Sequence, residues 1–187
     1  DEAQVSGGIT VADNTFIGCQ QGVYSYYHLG DVEISGNTFS DVQTGVQIED
    51  WWVQGNETLL IEDNEFGWSE GSAIYVADLG EVEIRGDNVV HGNGSGPAVR
   101  IEGVTSVTVD GLVVESAADS GLEITGTGAV SVTGSEITSG TGSGVRVNGS
   151  GVVLDLANNT AISTNGSHGV HLSGTVTGDI LGNFIEG

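Results

Sequence analysis

The chain has 187 residues, with 26 Asp and Glu set against three Arg and no Lys, for a formal charge of −23. A field of that sign excludes nucleic acid, which needs a basic stripe, and repels acidic polysaccharide. No run is long and apolar enough for a transmembrane segment, and the lone Cys19 has no internal disulfide partner.

Taken in chain order, the elements repeat. Ile9-Thr10-Val11 is followed by Phe16 and then by Gly22-Val23-Tyr24-Ser25, a small residue leading an apolar–any–apolar phrase. That phrase returns as Gly45-Val46-Gln47-Ile48, Ala73-Ile74-Tyr75-Val76, Ala98-Val99-Arg100-Ile101, Gly121-Leu122-Glu123-Ile124, Gly144-Val145-Arg146-Val147 and Gly169-Val170-His171-Leu172, every 23 to 28 residues. Between the copies stand Val32-Glu33-Ile34, Leu59-Leu60-Ile61, Val82-Glu83-Ile84, Val107-Thr108-Val109, Val130-Ser131-Val132 and a looser Leu154-Asp155-Leu156. Both units alternate with period two and are rich in β-branched residues, so both are predicted strands. A third apolar position follows at Phe16, Phe39, Phe66, Val89, Val114, Ile137 and Ile162.

A repeat of this length cannot bury its apolar face alone, so a core forms only where copies stack. The prediction is all-β: a single solenoid domain over residues 1–187, of about seven to eight coils with three short strands each. The many Gly residues then serve as turn residues rather than as a sign of disorder.

In Ile9 to Phe16, Val32 to Phe39 with Asn37, and Leu59 to Phe66 with Asn64, the chain resembles the right-handed parallel β-helix of the pectate-lyase-like superfamily. The resemblance covers nearly the whole sequence and implies a fold that hosts lyases, hydrolases, adhesins and surface proteins, so function must be argued from sites.

Stacking the coils places Arg100 and Arg146 on either side of Glu123, and Arg85 between Glu62 and Asp110. All three cations are thus expected in charge ladders between neighbouring strands. A lyase would need a free basic group, and no such group remains. A hydrolase would need two carboxylates across a groove. The nearest local motifs, Asp13-Asn14, Glu62-Asp63-Asn64 and Asp87-Asn88, recur at one place in successive coils and read as turn residues bonding to their own backbone. Catalytic residues are therefore not assigned. His168 and His171 lack further ligands at metal spacing, and His28 and His91 stand isolated in loops, so neither cofactor nor specific metal is expected. Scattered carboxylates leave room only for weak Ca²⁺ binding.

The most function-like surface is aromatic. Tyr26, Tyr27 and His28 follow one copy of the phrase, and the next carries Asp50, Trp51 and Trp52 in the insertion Glu49 to Thr58. On adjacent coils these form a predicted patch. It suits a neutral glycan, a subunit contact, or local packing over the coil wall. Glycosylation acceptors stand at Asn56, Asn93, Asn148, Asn158 and Asn165, all in predicted turns. With the acidity and the missing lysine, they point to an extracellular or cell-surface protein.

Neither Asp1 to Gly7 nor Phe184 to Gly187 reads as a cap. The expectation is either a piece of a longer protein or a subunit stacking end to end into a homopolymer, which does not close on itself. Cys19 is expected as a buried thiol, with an intermolecular bridge as the sharper alternative. The leading functional expectation is a non-enzymatic structural β-helix that self-assembles into a filament, sheath or similar surface structure. The alternative is a carbohydrate-binding or carbohydrate-cleaving β-helix centred on the aromatic patch.

Overall fold

The structure is a computed structural model describing residues 8–26, 30–50, 57–138, 140–163 and 165–186. Its strands stack in parallel on three faces. The first face carries β1 (Ile9–Ala12), β4 (Val32–Ser35), β7 (Thr58–Glu62), β10 (Glu81–Arg85) and β13 (Ser106–Asp110). The second carries β2 (Thr15–Ile17), β5 (Thr38–Ser40), β8 (Glu65–Ser69), β11 (Val89–Asn93), β14 (Val113–Val114), β16 (Glu136–Thr138) and β18 (Ala161–Ser163), a sheet of seven strands with one from each coil. The third carries β3 (Gln21–Tyr26), β6 (Thr44–Glu49), β9 (Ile74–Ala77) and β12 (Val99–Glu102). The predicted β-solenoid with three strands per coil is present.

In the later coils the third and first faces fuse. β15 (Leu122–Thr133), β17 (Val145–Ala157) and β19 (Val170–Leu181) each run through both, so units expected as separate short strands are continuous. The reason is a missing loop. Where earlier coils insert a turn, residues 126–128 only shift the register between β15 and β17. Gly128 takes φ 113° there, with its Cα against the Thr105 carbonyl, a place no side chain could enter.

Inward residues of all three faces form one core. Ile34, Ile61, Ile84, Val109 and Val132 line the first face and Val46, Ile74, Val99 and Leu122 the third, all fully buried. On the second face Phe16, Phe39 and Phe66 stack ring on ring, with centroids 4.9 and 4.8 Å apart and planes within 7°. Those distances equal the strand spacing, so the rings come into stacking contact simply by being in register. Register also corrects one sequence expectation. Val90, not Val89, pairs with Phe66 and is buried, while Val89 pairs with Glu65. The turn Gly86-Asp87 is one residue longer than its counterparts, which displaces the inward position by one.

The small residue that opens each phrase is explained by what lies over it. A methyl at Gly22 would meet the Phe39 ring at 2.5 Å, one at Gly45 the Phe66 ring at 2.7 Å, and one at Gly144 the Ile162 Cγ2 at 2.5 Å. Alanine stands at this position only in Ala73 and Ala98, where the equivalent partners are the smaller Val90 and Val114. Size is thus matched between faces, as close packing demands.

Asparagines mark the corner between the first and second faces. The backbone N–H of Asn14 donates to Asn37 Oδ1, that of Asn37 to Asn64 Oδ1, and that of Asn64 to Asn88 Oδ1, at 2.9 to 3.0 Å. Each side-chain amide bonds back to its own turn, as Asn64 does to the Glu62 carbonyl, and those of Asn37, Asn64 and Asn88 also reach the preceding coil, as Asn64 does to the Ile34 carbonyl. The expectation of purely local turn bonding was therefore too narrow: these residues tie coil to coil. Ahead of each stands a left-handed residue, Asp13 (φ 58°), Gly36 (φ 62°), Asp63 (φ 56°) or Gly86 (φ 72°). Aspartate tolerates that conformation. The Asp13 carboxylate lies over Gly36, where a methyl would come within 2.6 Å of Oδ1, and the Asp63 carboxylate covers Gly86 in the same way.

Candidate functional site

Outward residues of the third face align in one row by strand pairing: Tyr24, Gln47, Tyr75, Arg100, Glu123 and Arg146. One step along the strands lie Tyr26, Glu49 and Glu102. Tyr24 and Tyr26 are 52% and 41% exposed, enough to offer ring surface.

Side chains here are held by one another. Gln21 donates to Gln47 Oε1 at 3.1 Å, and Gln47 donates to Glu49. Tyr75 donates its hydroxyl to Glu102 Oε2 at 3.2 Å, while Arg100 donates to Glu102 Oε1 at 2.7 Å and sets its guanidinium 5.5 Å from the Tyr75 ring centroid. Burial, together with the Glu102 charge and this hydrogen bond, pushes the Tyr75 phenol up to about 12, so it stays a donor at ordinary pH. Burial also raises the Asp78 carboxyl, reinforced by Glu102, Glu49 and Asp50. A shallow groove of about 270 Å³ runs beside Tyr75 and Arg100, floored by Gly71, Ser72, Ser95 and Pro97.

Both Glu102 oxygens are thus engaged by donors, an arrangement that orients a ligand but offers neither a protonated acid nor an unencumbered base. Chemically, the face can stack a ring against a sugar's C–H surface and exchange hydrogen bonds with its hydroxyls.

The predicted charge ladders form with changes of partner. Arg146 meets Glu123 across the coils at 3.3 Å. Arg85 meets Glu62 at 3.4 Å and also Glu83 on its own strand at 3.3 Å, while Asp110 accepts the Thr133 hydroxyl at 2.8 Å. Arg100 lies opposite Glu123 in register but turns to Glu102, because the Tyr75 ring supports it there. His91 is not an isolated loop residue. It lies on β11, with Nδ1 2.8 Å from Glu115 and Nε2 3.2 Å from Glu65, one carboxylate on each side of the ring. Hydrogen bonding to Glu115 leads the causes that raise its pKa.

Of the predicted aromatic patch, Tyr27, His28, Trp51 and Trp52 lie outside the described residues. Tyr26 ends β3 instead of standing in the loop after it, and Asp50 is fully buried, its backbone N–H donating to the Ala77 carbonyl, so it is no surface ligand. Asn56 also lies outside the described residues. Asn158 is an exposed turn residue. Asn148 lies on β17 instead of in a turn. Asn93 closes β11, buried, with its amide on the carbonyls of Ser95 and Gly96, and Asn165 is buried too, so neither presents an accessible acceptor. Cys19 is a half-buried free thiol against the core. Among the described residues, no three His, Cys, Asp or Glu side chains are arranged to hold a metal, and no helix is long and apolar enough to cross a membrane.

Sequence reasoning missed Tyr24, Tyr75 and Glu102 as site residues. The signal was present, since Tyr24 and Tyr75 occupy the outward position of the repeated phrase. It missed Trp68 as well, an exposed indole at the end of β8.

A family model described as right handed beta helix region matches residues 51–185. No curated protein and no solved structure matches the chain.

Proposed function

The chain belongs to the right-handed β-helix family, and on that scaffold we propose a rigid extracellular or cell-surface protein that binds neutral carbohydrate along its third face. The observation that carries this reading is the in-register row of Tyr24, Gln47, Tyr75 and Arg100, with Tyr75 and Arg100 locked onto Glu102 beside the groove. Aromatic faces supply contact area at low entropic cost. The fixed polar groups supply direction, and the charge of −23 selects against uronates. The test is calorimetric titration with neutral oligosaccharides. Wild type binds, Tyr75→Ala loses binding, and Arg146→Gln, farther along the row, retains it. No binding by wild type across a neutral glycan array would refute the reading.

A second reading, end-to-end association into a filament or sheath, rests on a different observation. Inward apolar side chains are buried through the middle coils but exposed in the first and last described ones, with Ile9 at 48% where its partner Val32 is buried and Ile180 at 43% where its partner Leu156 is buried. The asparagine ladder there offers Asn14 Oδ1 at one edge and the region of Asn183 at the other. Coils of a second copy, or of further polypeptide, would extend the stack. Electron microscopy and light scattering, with and without salt and Ca²⁺, test it; a monomer under every condition rejects self-association.

A further inference from the structure

Trp68 stands on the far side of the corner from Tyr75, on the second face, and is 52% exposed in the middle of the solenoid. Its neighbours Phe66 and Ser69 point inward and are buried, so the indole is no part of the core. The next coil supplies glycines beneath it. A methyl at Gly92 would lie 3.4 Å from Cε3 and Cζ3, and one at Gly94 3.2 Å from Cζ2. One side of the ring therefore rests on backbone, and the exposure belongs to the rest.

The turn that joins Trp68 on β8 to Tyr75 on β9 contributes to the lining of the groove beside Tyr75. Gly71 and Ser72 form its floor in one coil, Ser95 and Pro97 in the next. That floor is fixed. Ser95 Oγ donates to the Glu70 carbonyl at 2.9 Å, Gly94 N–H to the Ser69 carbonyl at 2.8 Å, and Asn93 Nδ2 to the Ser95 carbonyl at 2.7 Å. Two aromatic rings, one on each side of a rigid polar corner, match a ligand with alternating apolar faces and hydroxyl rims.

We propose that Trp68 is a second pyranose platform, over which a neutral oligosaccharide bound at Tyr75 continues around the corner. This rests on the third-face reading and extends it. The site then prefers chains over single sugars, because only a chain can engage both rings at once, and linked contacts gain affinity from effective concentration. Glu65 and Glu115, ordered around His91 on the same face, disfavour acidic sugars there.

The experiment titrates wild type, Trp68→Ala, Trp68→Phe and Tyr75→Ala with cello-, xylo- and manno-oligosaccharides from the disaccharide to the octasaccharide, following heat and intrinsic fluorescence. The expected result is that Trp68→Ala weakens the longest bound oligosaccharide about tenfold, the scale of one lost aromatic contact. The disaccharide is unaffected, and Trp68→Phe falls between. Trp68→Phe keeps a ring against Gly92 and Gly94, so it separates a lost platform from a disturbed fold, which circular dichroism checks. Wild type and Trp68→Ala binding long chains equally, while Tyr75→Ala abolishes binding, would overturn the Trp68 platform and leave the third-face site standing. Failure of wild type to bind any of the oligosaccharides overturns both.

Discussion

Replacing Gly45 with alanine tests whether the two faces are matched in size. Gly45 has an ordinary backbone, so alanine brings no strain of φ. Its methyl would lie 2.7 and 2.8 Å from Cδ1 and Cε1 of Phe66 and 2.8 Å from the Ala73 carbonyl oxygen. Normal carbon contacts are about 3.5 to 4.0 Å, so ring and strand must separate by about 1 Å in a core with no slack, because Phe66 is fully buried and stacked on Phe39. Overpacking by one methyl costs about 1 to 3 kcal/mol, and we expect about 2 kcal/mol for Gly45→Ala. The carbonyl is not the obstacle, since Ala73 and Ala98 carry a methyl at the same place beneath valine partners. Phe66→Val therefore removes the conflict while costing about 3 kcal/mol of its own through the cavity and lost stacking. In that background Gly45→Ala is neutral or stabilising, giving a coupling of at least about 1.5 kcal/mol. Urea denaturation of the four proteins followed by circular dichroism, with m-values compared to check that the unfolding unit is unchanged, measures it. Costs that add to within about 0.5 kcal/mol would refute the matching argument.

Other expectations concern polar groups. Asn64→Ala strands the Asn37 N–H and the Ile34 carbonyl inside the wall and should cost about 2 to 3 kcal/mol by urea denaturation; a cost no larger than that of the exposed Asn14→Ala would show that the ladder is not cohesive. His91 has a raised pKa in the folded state, so its stabilisation is complete below the unfolded pKa of about 6.5 and is lost as pH rises through the folded value. Thermal melts of wild type and His91→Gln should converge at alkaline pH and diverge at mildly acidic pH, and a constant gap would contradict the bridge to Glu65 and Glu115. Asp78 has a raised pKa, meaning that its charge opposes folding at neutral pH. Asn tolerates its left-handed backbone (φ 59°), so Asp78→Asn should raise the melting temperature at pH 7 and lose that advantage under acid; a lowered melting temperature at pH 7 would count against it.

The fold was legible because its determinants are periodic. Two alternating phrases and one further apolar position suffice to assign each inward residue to a face, and the slip at Val89 came from a single extra residue in a turn. The fusion of faces in β15, β17 and β19 was hidden, since a glycine-rich stretch reads the same whether it makes a loop or a bulge. The site was less legible. Tyr75 stands openly in its phrase, but its partner Glu102 lies one coil on and two residues along, a diagonal that only register reveals. His91 looked like a loop residue because His91-Gly92-Asn93 are poor strand formers. Asp50, charged and at the start of an insertion, gave no hint of its burial.

Aspartate and glycine trade places up the first corner, with Asp13 covering Gly36 and Asp63 covering Gly86. The two residues are therefore not interchangeable from coil to coil, and the wall there has a parity. Excising a single coil, residues 24 to 46 for instance, would bring Asp63 directly above Asp13 and set its Cβ about 2.6 Å from the Asp13 Oδ1, so that the lower carboxylate must turn away from the place it holds over Gly36. Excising two would restore Asp13 beneath Gly86. In this stretch the unit by which the solenoid can be shortened, lengthened or recombined is the pair of coils, although the repeat seen in the sequence is one.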